Sequence, residues 1–151
     1  MRSSSDGNSA KGSQKGTRLI VDANILFAAL IKDDKASELL FSDGFELFAP
    51  TFLLEEFENY KSLLLDKTKW DEQAFITLIG VLKRRITLLP ATVIGKHLCE
   101  AEGISPDPKD TPYFAAAIAK KAMLWSNDKR LRTQQAIPVV TTRELAARGT
   151  R

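Results

Sequence analysis

Five short apolar runs set between stretches of helical character limit what this chain can fold into. The runs are Arg18-Leu19-Ile20-Val21-Asp22, Phe45 to Ala49, Arg85 to Leu89, Met123 to Ser126 and Ile137 to Thr141. Helices are expected over Asn24 to Leu30, Ala36 to Phe41, Thr51 to Leu65, Asp71 to Lys83, Thr92 to Glu102, Thr111 or Pro112 to Lys121, and Thr142 to Arg148. The punctuation agrees with these limits: Ser42-Asp43-Gly44 is a turn signal, Pro50 and Pro90 stop strands, and Gly103 is a good helix stop. Ser105 to Pro112 carries three prolines and reads as a rigid loop. Strands alternating with helices in one short domain imply a parallel sheet covered on both faces. The expected fold is therefore a three-layer α/β/α sandwich on a central, mostly parallel five-stranded sheet.

Residues 1–17 differ from the rest. They hold five Ser and three Gly, with no aromatic or branched aliphatic residue. Such a segment cannot bury enough surface to offset its ordering entropy, so it is expected to be a disordered tail preceding a domain over 18–151. The tail also carries most of the chain's net charge of +3, which weakens that charge as evidence for nucleic-acid binding by the domain. No apolar run is long enough to span a membrane, so a soluble cytoplasmic protein is expected. Cys99 is the only cysteine and His97 the only histidine, which excludes an intrachain disulfide and argues against a Cys/His zinc site.

The chemistry lies in the carboxylates. Asp22 ends the first strand, Asp128 follows the fourth, and Asp110 stands at the start of the helix leading into the fourth. An α/β sheet binds its ligands beyond the carboxyl ends of its strands, where all three fall. Each also has a plain structural reading as a turn residue or helix N-cap, strongest for Asp110. Glu56 is argued differently. On a helical wheel Leu53, Phe57, Tyr60 and Leu64 fall within about 60° of one another, and Glu55, Glu58, Asn59 and Ser62 lie opposite. Glu56 falls about 60° from Leu53, toward the protein, and only this wheel separates it from Glu55. An inward carboxylate needs a partner, either a basic side chain or a metal ion. Four inward acids without matching inward bases repel one another, and a hard divalent cation relieves that conflict.

The run Leu19 to Leu26, with its Asp22 and Asn24, resembles the opening motif of the PIN domain family. Leu54-Glu55-Glu56-Phe57 resembles its second acidic motif, Asp107 to Ala117 its third, and Trp125 to Leu131 its fourth. No one motif is specific, but their order and spacing cover nearly all of the chain after Thr17. The resemblance implies an Mg²⁺- or Mn²⁺-dependent endoribonuclease acting on single-stranded or structured RNA. It places Asp22, Glu56, Asp110 and Asp128 as the catalytic and metal-binding acids, with Asn24, Asp107 and Ser126 as auxiliary residues. A VapC-type toxin of a toxin–antitoxin pair is the biology it implies first, with an antitoxin as partner and homodimerisation open. A housekeeping RNA-processing nuclease and a non-catalytic RNA- or protein-binding module of the same shape are the alternatives.

Lys129 and Arg130 follow Asp128 directly and are candidate contacts for RNA phosphates. Lys83-Arg84-Arg85 and Lys120-Lys121 are weaker candidates, because basic residues at helix ends are favoured by the helix dipole alone. A receiver-type phosphotransfer domain fits poorly, with a single acid after the first strand, and no Gly-rich phosphate loop is present.

Overall fold

Leu19, Ile20 and Val21 are fully buried because β1 (Thr17–Val21) is the central strand of a five-stranded sheet and has a hydrogen-bonded neighbour on each side. The computed structural model describes residues 16–148. The other strands are β2 (Phe45–Pro50), β3 (Ile86–Leu89), β4 (Met123–Trp125) and β5 (Val139–Val140), in the order β3-β2-β1-β4-β5 with every pair parallel. Val21 stands opposite Trp125 in the β1–β4 register, which sets Asp22 beside Ser126 just past the strand ends. Among the described residues, the expected tail over 1–17 can be followed only at its end. Thr17 is the first residue of β1, and a Cβ on Gly16 would lie 1.6 Å from the carbonyl oxygen of Gly44. The two residues thus belong to the edge of the fold, while the rest of the expected tail lies outside the described residues.

Helices cover both faces. α1 (Ala23–Ile31) and α2 (Asp34–Leu40) connect β1 to β2, and α3 (Phe52–Asn59), α4 (Lys61–Thr68) and α5 (Glu72–Arg85) connect β2 to β3. α6 (Ala91–Gly95), α7 (Leu98–Glu102) and α8 (Thr111–Lys120) run back across the sheet from β3 to β4, and α9 (Thr142–Arg148) follows β5. Crossovers between parallel strands are right-handed. The connections running outward from β1 and the one returning to β4 therefore take opposite faces. α8 packs across β1, β2 and β4. Its run Tyr113 to Ala117 is buried, and the three alanines let the helix approach the sheet closely.

Two expected helices are each broken in two. The stretch Thr51 to Leu65 divides at Tyr60, which lies outside helical angles and packs its ring edge-on to Phe27 at 4.5 Å. The wheel therefore holds for α3, where Leu53 and Phe57 are buried, and only in part beyond it: Leu64 is buried but Tyr60 is exposed. The stretch Thr92 to Glu102 divides at Lys96 and His97, after Gly95, a poor helix former. The loop before α8 contains a 3₁₀ turn, Pro108–Asp110, and another, Lys129–Thr133, follows Asp128. No helix among the described residues is long and apolar enough to cross a membrane.

Candidate active site

The strand order reverses direction between β1 and β4, and open α/β sheets bind ligands at such a point, beyond the carboxyl ends of the strands. Asp22 stands there. It is 8% exposed, the most buried carboxylate of the four candidates, and caps the N-terminus of α1, where the helix dipole favours its charge. The Ser126 hydroxyl donates to its Oδ2 at 2.7 Å, and the backbone N–H of Asn24 approaches Oδ1 at 3.4 Å. Ser126 is itself buried, and its Oγ accepts from the backbone N–H of Asp128 at 3.0 Å. A chain of hydrogen bonds thus runs from the Asp128 amide through Ser126 to Asp22. Burial pushes the Asp22 carboxyl above its ordinary range, and the bond from Ser126 opposes that rise. The Asn24 side chain is exposed, so this residue supports the acid through its backbone rather than its amide side chain.

Glu56, on α3, is half-buried, whereas Glu55 is exposed. The Tyr113 hydroxyl, from α8, donates to Glu56 Oε1. Burial raises the Glu56 carboxyl, the Tyr113 bond opposes the rise, the nearby charge of Asp22 adds to it, and Lys109 offsets part. Asp110 takes the N-cap position of α8 but its side chain caps no backbone N–H. The competing explanation for this residue is therefore absent from the fold. Its carboxyl is pushed up to about 6 by burial first, then by the charges of Asp22, Asp107 and Asp128, with Arg130 opposing. Those mutual effects place Asp22, Glu56, Asp107, Asp110 and Asp128 in one electrostatic neighbourhood.

Asp128 is held otherwise. The Arg130 guanidinium clasps it, Nε to Oδ1 at 3.1 Å and the second nitrogen to Oδ2 at 2.7 Å, and the Arg130 backbone N–H adds a third bond. These bonds hold the Asp128 carboxyl below its ordinary range. Arg130 also reaches Asp107, 3.8 Å away, whose own carboxylate accepts from the Lys109 backbone N–H at 2.9 Å. Arg130, expected to face substrate, is thus engaged with the acids. Lys129 is exposed with no side-chain partner among the described residues. Arg85 is spent on structure, its guanidinium donating to the carbonyls of Leu40, Ser42 and Phe45. Tyr113 was not singled out from the sequence. The available signal was its position three residues after Asp110, on the same helical face.

As placed, no three His, Cys, Asp or Glu side chains among the described residues converge closely enough to hold a metal ion. The donor chemistry nevertheless fits a hard divalent cation: every candidate is a carboxylate, and no cation lies within ion-pair distance of Asp22, Glu56 or Asp110 among the described residues. The carboxylates that do have a cationic partner are Asp128, whose two oxygens are taken by Arg130, and Asp107, which the same guanidinium approaches.

Residues 20–148 match the family described as the PIN domain. No curated protein matches the chain. Among solved structures, the chain is similar to that of VapBC2 from Rickettsia felis bound to a DNA fragment from their promoter, with a TM-score of 0.59 and 16% identity over 83% of this chain and 98% of that one. It is also similar to a toxin–antitoxin complex from Klebsiella pneumoniae, with a TM-score of 0.59 and 15% identity over 82% of this chain and 97% of that one. At such identities the likeness shows the fold.

Proposed function

The chain belongs to the PIN domain family, and from that premise we propose that it is a metal-dependent endoribonuclease serving as the toxin of a toxin–antitoxin pair. The observation that carries the catalytic reading is Asp22: a buried carboxylate at the turning point of the sheet, held by a buried serine and surrounded by other acids with no cation beside it. Leaving buried negative charge uncompensated is costly, and a site that tolerates it is built for a ligand that supplies the positive charge.

Asp22, Glu56, Asp110 and Asp128 would hold Mg²⁺ or Mn²⁺, which supplies a Lewis acid for phosphate and a bound water of lowered pKa. Ser126 orients Asp22 and favours its ionised form. Asp110, with a pKa near neutrality, is suited to accept a proton from the attacking water, or to become a ligand once a cation offsets its neighbours. Asp107 and Asp128 anchor Arg130, which together with Lys129 and Lys109 forms a basic rim for the phosphates of RNA. The likeness to toxin–antitoxin structures supports an antitoxin as protein partner, and the proposal extends to action in the cytoplasm and to homodimerisation.

The Arg130–Asp128 pair favours one alternative, a metal-free binding module in which an internal cation replaces the ion. Calorimetric titration with Mn²⁺ separates the two, because a module of that kind takes up no divalent ion. In the nuclease, Asp22→Asn and Asp128→Asn lower Mn²⁺-dependent cleavage of a single-stranded RNA by about 100-fold or more. Cleavage by Asp22→Asn at the wild-type rate, in preparations purified free of other nucleases, would exclude the assignment. Growth arrest on expression, lost in Asp22→Asn, tests the toxin role.

A further inference from the structure

Tyr113 is a buried polar residue of α8 that the proposed chemistry does not use. It is 3% exposed, and its hydroxyl donates to Glu56 Oε1, its one hydrogen bond among the described residues. Its ring meets that of Phe52 edge-on, 6.5 Å between centroids. Phe52 opens α3 and stands four residues before Glu56, so ring and hydroxyl grip the same helix one turn apart. The grip comes from α8, on which Tyr113 lies three residues after Asp110. A phenylalanine would fill the same space and keep the ring contact without burying a hydroxyl that must find a partner. What the hydroxyl adds is a fixed direction for one carboxylate. Glu56, on the crossover before β3, is thereby tied to α8, the helix before β4 at whose N-terminal end Asp110 stands.

We propose that Tyr113 is a positioning residue of the acidic site: its hydroxyl holds the Glu56 carboxylate of α3 against the N-terminal end of α8, where Asp110 stands. The inference rests on the reading of Glu56 as a member of the metal-binding set. Tyr113 touches neither ion nor RNA and acts only through Glu56. Its role is to remove the freedom of a glutamate with three rotatable bonds, so that the carboxylate is in place before a cation arrives.

The test is Tyr113→Phe, followed by Mn²⁺ titration calorimetry and by RNA cleavage kinetics at saturating Mn²⁺. The expected result is about tenfold weaker Mn²⁺ binding and about tenfold lower kcat with unchanged KM for RNA. Thermal unfolding in EDTA is measured alongside and should show a cooperative transition, confirming that the variant is folded. The same substitution is then made in the Glu56→Ala background, where it should add no further loss of Mn²⁺ affinity. Wild-type affinity in Tyr113→Phe overturns the proposal. So does an equal loss with and without Glu56, which would make the hydroxyl a general packing element. Absence of Mn²⁺ binding by the wild-type protein is a different outcome: it removes the nuclease reading, and the role of Tyr113 with it.

Discussion

Asp22 and Asp128 lie beyond the ends of neighbouring strands and share Ser126 between them, yet they are held in opposite ways. Asp22 is buried, paired with a hydroxyl and a backbone amide, and its carboxyl is raised. The Asp128 side chain is 22% exposed, clasped by a guanidinium, and its carboxyl is lowered. The contrast extends to their surroundings. Glu56 and Asp110, like Asp22, are raised by burial, whereas Asp107 leans with Asp128 toward Arg130. One side of the site stores uncompensated charge and the other has already found a cation. In the proposed nuclease, the stored charge makes the buried side receptive to a divalent ion, and the Arg130 pair is what that ion competes with to recruit the outer side.

The contrast is most strongly broken by Ser126→Ala. Removing the hydroxyl leaves a buried Asp22 oxygen unsatisfied, and the expected cost is about 1–3 kcal/mol in chemical denaturation. Mn²⁺ binding should weaken with it; unchanged stability would mean that water replaces the hydroxyl at no cost.

Asp110→Asn sharpens the difference in protonation. The folded pKa of Asp110, about 6, lies above its ordinary value of 3.8, so the folded state holds the proton more tightly than the unfolded state. Its favourable contribution is full below about pH 4 and is lost as pH rises through about 6. In EDTA the variant should therefore be more stable than wild type at pH 7.5, by about 1 kcal/mol once solvent screening of the half-exposed carboxyl is allowed for, and the gain should vanish near pH 4. A variant less stable at both pH values would show that Asp110 is structural. Asp128 carries the opposite sign: its lowered carboxyl contributes above its ordinary pKa, and that contribution fades on acidification.

The smallest stability effect is expected from Arg130→Gln. The guanidinium is on the surface, where ion pairs contribute little, so the thermal midpoint in EDTA should barely move. Mn²⁺ binding should tighten severalfold while affinity for RNA falls. Weaker Mn²⁺ binding would mean that Arg130 orients Asp128 rather than competing for it.

The parts of this site that could be read from the sequence are those fixed by local periodicity. A strand end places Asp22, Ser126 and Asp128, and one turn of regular helix distinguishes Glu56 from Glu55. What could not be read depends on geometry beyond one element. Whether Asp110 caps its helix rests on backbone angles within a proline-rich loop. The Tyr113 contact joins two crossovers 57 residues apart in the chain. That Arg130 turns to Asp128 rather than outward is a rotamer of an exposed side chain. The broken helices failed for a related reason: a wheel assumes continuity, and Tyr60 ends α3 where apolar pattern alone would carry it on.

The pairing of β1 with β4 joins segments more than a hundred residues apart, and the Ser126–Asp22 bond spans 104 positions. During synthesis the segment 17–89, with β1, β2 and β3, leaves the ribosome before β4. Asp22 then stands at an open sheet edge, without Ser126 and without Asp107, Asp110 and Asp128. For the nuclease we propose, this order of synthesis has a consequence: the acidic site is assembled only after β4 has been made, so a shorter nascent chain lacks part of its cutting centre.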